Sequence, residues 1–374
     1  MPKTRLFDPI KLRDLEIPNR ITVAPMCQYT AKDGLPGNWH LVHLGQFALG
    51  GPGLVFVEAT GVEPEGRITP GCTGRWSDAH EEAFKPIIQF FRDYGAAKIG
   101  MQLAHAGRKA STDVPWNKGV PLKDDRAWQT YGPSALPYAD GWHTPEAFGD
   151  NALQRVRDAF VSAAERCVRL DFDVIELHSA HGYLLHQFLS PISNQRDDQY
   201  GGSLENRMRF PLEIFDAVRA VWPEGKPLGV RFSATDWVEG SGWDLPEAVE
   251  YTKQLAARGC DFVDVSSGGN SPLQEIQVGP GYQTKFAAAV KAEVPEMTVM
   301  TVGKITEPLQ AEHILHSGQA DMVALARGIT VNPHWAWHAA ITLGDERANF
   351  PQQYARSHPS LSGLAIPGNP PPAK

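Results

Sequence analysis

Cysteine is scarce in this sequence. Only Cys27, Cys72, Cys167 and Cys260 occur in 374 residues, and no two form a C-x-x-C pair. Thiolate-rich zinc sites and iron–sulfur clusters need such spacings, which argues against both. So few thiols make no disulfide framework, and reduced cysteines in a cytoplasm are the expectation. Long apolar runs are missing too. None approaches the roughly 20 residues of a membrane span, and Met1 to Asp8 lacks the charged-then-apolar pattern of a secretion signal. Basic charge is not in excess. The 35 Lys and Arg face 43 Asp and Glu, a net charge of −8 with histidine neutral, which speaks against a nucleic-acid partner. The Gly-x-Gly-x-x-Gly fingerprint of an open dinucleotide-binding sheet is also absent after the first strand.

What is present is a repeat. Short apolar runs bounded by turn residues recur at 21–26, 54–59, 99–103, 174–178, 228–232, 262–266, 298–302 and 322–326. Each is too short for a whole helix and rich in β-branched residues, as buried parallel strands are. Amphipathic stretches lie between them. Residues 153–170 carry Val156, Phe160, Ala163, Ala164 and Cys167 at helical spacing. Residues 206–221 carry Phe210, Ile214 and Val218, and 246–258 end at Gly259, a helix stop. About eight strand–helix units without a clear break predict an α/β fold, a single (β/α)₈ barrel rather than an open sheet. The barrel domain spans 1–366. Residues 108–148, rich in Pro, Trp, Gly and Asp, form a long insertion after the third strand that caps one mouth. Residues 367–374 read as a flexible Pro-rich tail after a C-terminal extension.

Several strands finish on polar groups that a purely structural strand avoids. Gln102 and His105 mark the third, Glu176, His178 and His181 the fourth, Arg231 the fifth and Arg327 the eighth. Functional side chains of a parallel barrel sit at these strand ends. Singly, each has a plainer reading: a strand-end histidine as a structural hydrogen-bonder, or Arg231 paired with Asp264 or Glu176. Together they are costly to bury without purpose. His178 and His181 suit either two metal ligands or two hydrogen-bond donors aimed at one oxygen, but no H-E-x-x-H helix or fitting carboxylate is near in sequence. Gly303-Lys304 after the seventh strand and Arg327-Gly328 after the eighth lie where such barrels often bind phosphate.

The run His178-Ser179-Ala180-His181-Gly182-Tyr183-Leu184-Leu185-His186-Gln187-Phe188-Leu189-Ser190-Pro191, continuing through Asn194 to Phe210, is more specific. With Ala24-Pro25-Met26-Cys27-Gln28-Tyr29 and Gln102-Leu103-Ala104-His105-Ala106-Gly107-Arg108-Lys109, it resembles the Old Yellow Enzyme family of FMN-dependent ene reductases. Cys27 and Tyr29 are similar to the thermophilic-like branch, which carries a cysteine near the flavin. The sequence shows neither the cysteine-rich cluster segment nor the further flavin domain of the larger dienoyl-CoA reductases, so the single-barrel form is the expectation.

The resemblance implies roles residue by residue. Ala24, Pro25, Met26 and Cys27 would line the flavin ring with Ala59 beside it, and Gln102 would bond its pyrimidine edge. Arg231 would sit where negative charge collects in the reduced flavin. Gly303, Ala326 and Arg327 would hold the phosphate, although many relatives have glycine in place of Ala326. NADPH or NADH would reduce FMN. An α,β-unsaturated carbonyl or nitro compound would then lie with its oxygen between His178 and His181, take hydride at the β carbon, and be protonated at the α carbon by Tyr183, in a ping-pong cycle. Tyr29 and Arg356 would contact substrate, Arg356 from a neighbouring subunit. The partners expected are small activated alkenes and further copies of the chain, as a homodimer or homotetramer, with no nucleic acid, membrane or metal. The rivals are a metal-dependent barrel hydrolase built on His178 and His181, and a barrel that only binds flavins or phenols.

Overall fold

The computed structural model describes residues 4–357. Two short strands, β1 (Ile10–Leu12) and β2 (Leu15–Ile17), form an antiparallel hairpin ahead of the repeat. The repeat then runs β3 (Ile21–Val23), α1 (Asn38–Leu49), β4 (Leu54–Gly61), α2 (Asp78–Tyr94) and β5 (Lys98–Ala104). After β5 come the small strands β6 (Tyr131–Gly132) and β7 (Glu146–Ala147), which pair with each other inside the insertion. The chain continues with α3 (Asp150–Arg169), β8 (Val174–Ser179), α4 (Leu184–Leu189), α5 (Leu204–Val221) and β9 (Leu228–Ser233). It completes the repeat with α6 (Leu245–Ala257), β10 (Phe262–Ser266), α7 (Thr284–Glu293), β11 (Thr298–Val302), α8 (Pro308–His316), β12 (Met322–Leu325), α9 (Arg327–Val331) and α10 (Trp335–Leu343).

Eight strands close in the order β10-β11-β12-β3-β4-β5-β8-β9, all neighbours parallel. These are the eight apolar runs of the sequence. The first strand is shorter than its run: β3 ends at Val23, and Ala24 adds one more bond, its N–H to Leu325 O at 2.9 Å. Pro25 has no N–H to continue the ladder. Helix ends follow local chemistry. Asp244 caps α6 by accepting the Glu247 N–H, and Ser203 caps α5 by accepting that of Asn206. No helix among the described residues is long and apolar enough to cross a membrane. The Pro-rich tail at 367–374, and residues 358–366 of the expected barrel domain, lie outside the described residues.

Side chains alternate across each strand, which layers the barrel interior. Its bottom is apolar: Leu54, Phe56, Val174, Phe262, Met300 and Met322 cluster with Leu12 and Ile17 of the hairpin, which closes that end. Phe262 reaches across β9, where a Cβ on Gly229 would stand 2.3 Å from its ring. One step higher on β5, β8, β9 and β10 the layer turns polar, with Gln102, Glu176, Arg231 and Asp264, all buried. His178 is the next inward position on β8, level with Arg231.

Candidate active site

His178 is the last inward residue of β8, and the chain then turns sharply through His181 (φ +58°) and Gly182 (φ +72°). A left-handed histidine is uncommon and needs support. Its N–H donates to Ser233 Oγ at 3.0 Å, and its carbonyl accepts from Lys109 Nζ at 2.8 Å. The turn brings three rings together. His178 lies 5.3 Å from His181 and 5.1 Å from Tyr183, edge to face in both pairs. Burial, followed by the Arg231 charge, holds both histidines well below the usual imidazole range, so each is neutral. His178 Nδ1 accepts the Ala180 N–H at 3.3 Å, which places its proton on Nε2. His181 Nε2 shares a 2.7 Å bond with Ser266 Oγ. Burial raises the Tyr183 phenol well above its usual value, and the Cys27 and Tyr29 groups push it further, so it keeps its proton.

One arrangement recurs at three rim loops. A glycine N–H donates to Nδ1 of a buried histidine, whose Nε2 faces a carboxylate. Gly37 donates to His40, which meets Glu58 at 3.1 Å. Gly107 donates to His105, which meets Glu63 at 2.9 Å. Gly182 donates to His186, whose Nε2 lies 3.0 Å from Asp236. An occupied Nδ1 leaves the ring proton on Nε2, towards the acid. The loops so tied carry Cys27, Lys109 and Tyr183.

Beneath the rim, Arg231 Nε lies 3.3 Å from Asp264 Oδ2, so the pairing weighed from sequence is formed. The contact is an ion pair without a well-directed hydrogen bond, since Arg231 Nε and both Asp264 oxygens lack one. Gln102 Nε2 donates to Glu176 Oε1 at 2.7 Å. Burial pushes Glu176 up to about 8, with the Asp264 charge adding to it and Arg231 opposing. Two acids around one guanidinium therefore oppose each other's ionisation.

At the ends of β9 to β12 a cavity of about 340 Å³ opens, lined by His181, Arg231, Ser266, Tyr282, Gly303, Lys304, Ala326 and Arg327 among others. Its residues fit FMN. The cations Lys304 and Arg327 are exposed at the rim, a place for a phosphate, while buried Arg231 forms the inner wall. Gly303 has φ +129°, and a Cβ there would crowd Gln283 and Tyr282 at 3.0 and 3.2 Å. Larger clefts of about 510 and 730 Å³ lie between α5 and α6 and within the insertion, away from these groups. Among the described residues no three His, Cys, Asp or Glu converge to hold a metal.

The other residues singled out from sequence divide. Ala24 and Ala59 are buried, and Pro25, Met26, Cys27 and Tyr29 are half-buried on the loop after β3. The Cys27 thiol lies beside the Tyr29 hydroxyl and the Ala59 main chain, and burial above all raises its pKa well over the usual value. Arg356 does not join the site of its own chain. It is exposed on the last turn, Gln352–Ser357, near the stretch at 349–352 that packs on Gly51, Tyr94 and Gly95 before β4 and β5, the opposite end of the barrel. Sequence reading assigned no role to Lys109, Ser266, Glu58, His40 or Asp236. Lys109 stood within a quoted motif; the others carried no local signal.

A cationic rim beside a buried arginine suits a ligand that carries a phosphate. Residues 5–346 match the NADH:flavin oxidoreductase / NADH oxidase family, and the chain belongs to it. It is 44% identical over 360 residues to an NADH:flavin oxidoreductase of Gibberella zeae, covering 92% of this chain and 87% of that one. An NADPH dehydrogenase of Geobacillus sp. is 43% identical over 344 residues, covering 91% and 95% respectively. Among solved structures, morphinone reductase is similar with a TM-score of 0.76 at 28% identity, over 92% of this chain and 91% of that one. The Old Yellow Enzyme resemblance therefore stands, and the chain is an oxidoreductase working with FMN and a nicotinamide reductant. The hydrolase and the non-catalytic barrel are set aside on the same ground.

Proposed function

We propose that the chain is an ene reductase acting on small activated alkenes, in a ping-pong cycle with NADPH or NADH. The carrying observation is the convergence of His178, His181 and Tyr183 on one rim, with ring centroids 5.3 and 5.1 Å from His178. FMN, when bound, would supply the hydride-transfer chemistry between the nicotinamide and the β carbon. The protein's part is to bind, polarise and protonate. His178 Nε2–H donates to the substrate carbonyl or nitro oxygen, and His181 flanks the same oxygen. As neutral donors they stabilise charge developing there without transferring a proton. Tyr183, held protonated, delivers a proton to the α carbon from the face opposite the flavin. Arg231, partly neutralised by Asp264, would present positive charge to the bound cofactor.

Cys27 and Tyr29 support a reading of the chain as one of the thermophilic-like branch, with the thiol tuning the flavin as a weak donor. Arg356, remote from its own site, reaches substrate only across an interface, which implies a homodimer or homotetramer. Arg356→Ala should then raise Michaelis constants for bulky enones. The function is tested on the purified protein by its visible spectrum. Flavin bands should bleach with NADPH or NADH and return with cyclohexenone. Bleaching without return of colour under anaerobic conditions sinks the ene-reductase reading and leaves a flavin reductase.

A further inference from the structure

Gln28 separates Cys27 from Tyr29, and its main chain is fastened from an unexpected side. The Gln28 N–H donates to Oε2 of Glu58 at 3.0 Å. The other oxygen, Oε1, meets Nε2 of His40 at 3.1 Å, and both side chains are only 2% exposed. Nδ1 of His40 accepts the Gly37 N–H at 3.1 Å, so the ring donates from Nε2 to the carboxylate. Glu58 thus has one donor for each oxygen. The rest of the loop is tied as closely: Gln28 Nε2 donates to Met26 O at 2.8 Å, and Trp39 Nε1 donates to Gln28 Oε1 at 3.0 Å.

What this clamp restrains is a strained piece of chain. Tyr29 has φ +56°, a conformation that a residue with a β carbon keeps only when its surroundings impose it. Tyr29 O packs so tightly on Gly71 that a Cβ there would stand 2.4 Å away. The groups facing the Cys27 thiol are the Tyr29 hydroxyl, Cys72, the Glu58 carboxylate and the Ala59 main chain. Burial above all, then Cys72 and the Glu58 carboxylate, opposes loss of the thiol proton, leaving Cys27 a hydrogen-bond donor rather than a thiolate.

We propose that the His40–Glu58 pair is a positioning device for Cys27, clamping the Gln28 peptide so that the thiol faces the cofactor as a neutral donor. This rests on the reading that Cys27 lies against the flavin. Glu58→Gln keeps the volume but sets an amide NH₂ against either the Gln28 N–H or the His40 Nε2–H, so one contact is lost.

The test is a double-variant cycle on the FMN-loaded enzyme, reading the flavin midpoint potential and visible absorption. Cys27→Ala should shift both. Glu58→Gln should shift them too, Glu58→Asp should restore them in part, and Glu58→Gln should add nothing in the Cys27→Ala background. His40→Asn, which removes the ring donor, answers the same question if Glu58→Gln does not fold. A Glu58→Gln shift that persists without Cys27 overturns the proposal, because the carboxylate then acts on the flavin directly. No shift from Glu58→Gln where Cys27→Ala gives one also overturns it, while the reading of Cys27 survives. No shift from Cys27→Ala itself removes that reading and the clamp's role together. Absence of flavin bands in the wild-type enzyme would instead count against the proposed function.

Discussion

The Gly182 N–H donates to Nδ1 of His186 at 2.9 Å, joining the turn between His181 and Tyr183 to the buried start of α4. His186 in turn faces Asp236, which also accepts Ser190 Oγ–H at 2.6 Å and the Trp243 N–H at 2.9 Å. Burial pushes Asp236 up, but His186 and these donors outweigh it and hold the carboxyl below the ordinary range. Its folded pKa is therefore lower than its unfolded one. The stability it contributes is complete above an unfolded pKa of about 3.9 and drains as pH falls through the folded value. Asp236→Asn should cost about 1–3 kcal/mol at neutral pH, the usual result of leaving buried donors short of an acceptor. Urea unfolding at pH 7 and below pH 4 checks this; a variant as stable as the parent at pH 7 refutes it.

Tyr183→Phe should separate the two half-reactions. Reduction of the enzyme by nicotinamide should stay nearly intact, and turnover of an enone should slow roughly 10²–10⁴-fold, the worth of a positioned general acid. Nitroalkenes should lose less, because the nitronate can leave before protonation. Rapid-mixing kinetics of each half-reaction decide the matter. Equal slowing of both means that another group delivers the proton.

Lys109 should titrate in the working range. Its ammonium donates to His181 O and Gly269 O at 2.8 and 2.7 Å and lies 5.0 Å from the Tyr183 ring. Those contacts favour the charged form, but burial, helped by Arg108, pushes the amine down to about 7. The positive charge beside Tyr183 is present below pH 7 and fades as pH rises through it. Enone kcat/KM should carry an inflection near pH 7 that Lys109→Met removes. An inflection that survives the substitution belongs to another group.

Gly229→Ala should destabilise the barrel floor without touching the rim. The added Cβ would meet the Phe262 ring at 2.3 Å, and overpacking of a filled core costs about 1–3 kcal/mol. Thermal unfolding should fall by several degrees while flavin content stays unchanged. Loss of flavin at unchanged stability would mean that the strain is passed up to Arg231.

What the sequence determined by itself was the repeat and the chemistry at its ends. Eight apolar runs of strand length, parted by amphipathic stretches such as 153–170, became β3–β5 and β8–β12 of the barrel and helices such as α3. Periodicity and strand-end polarity are local properties of the chain, so His178, His181 and Arg231 stood out before any coordinate, while Tyr183 was singled out only through the family resemblance. Only the tertiary structure decided what holds them. Barrel closure brings Arg231 to Asp264 and Gln102 to Glu176, and loops distant in sequence bring His40 to Glu58 and His186 to Asp236. It also sends Arg356 to the far end of its own barrel. Hydrogen bonds between separate strands and loops leave no period in the chain. The tautomers, protonation states and strained turns that depend on them appear only when the barrel is closed.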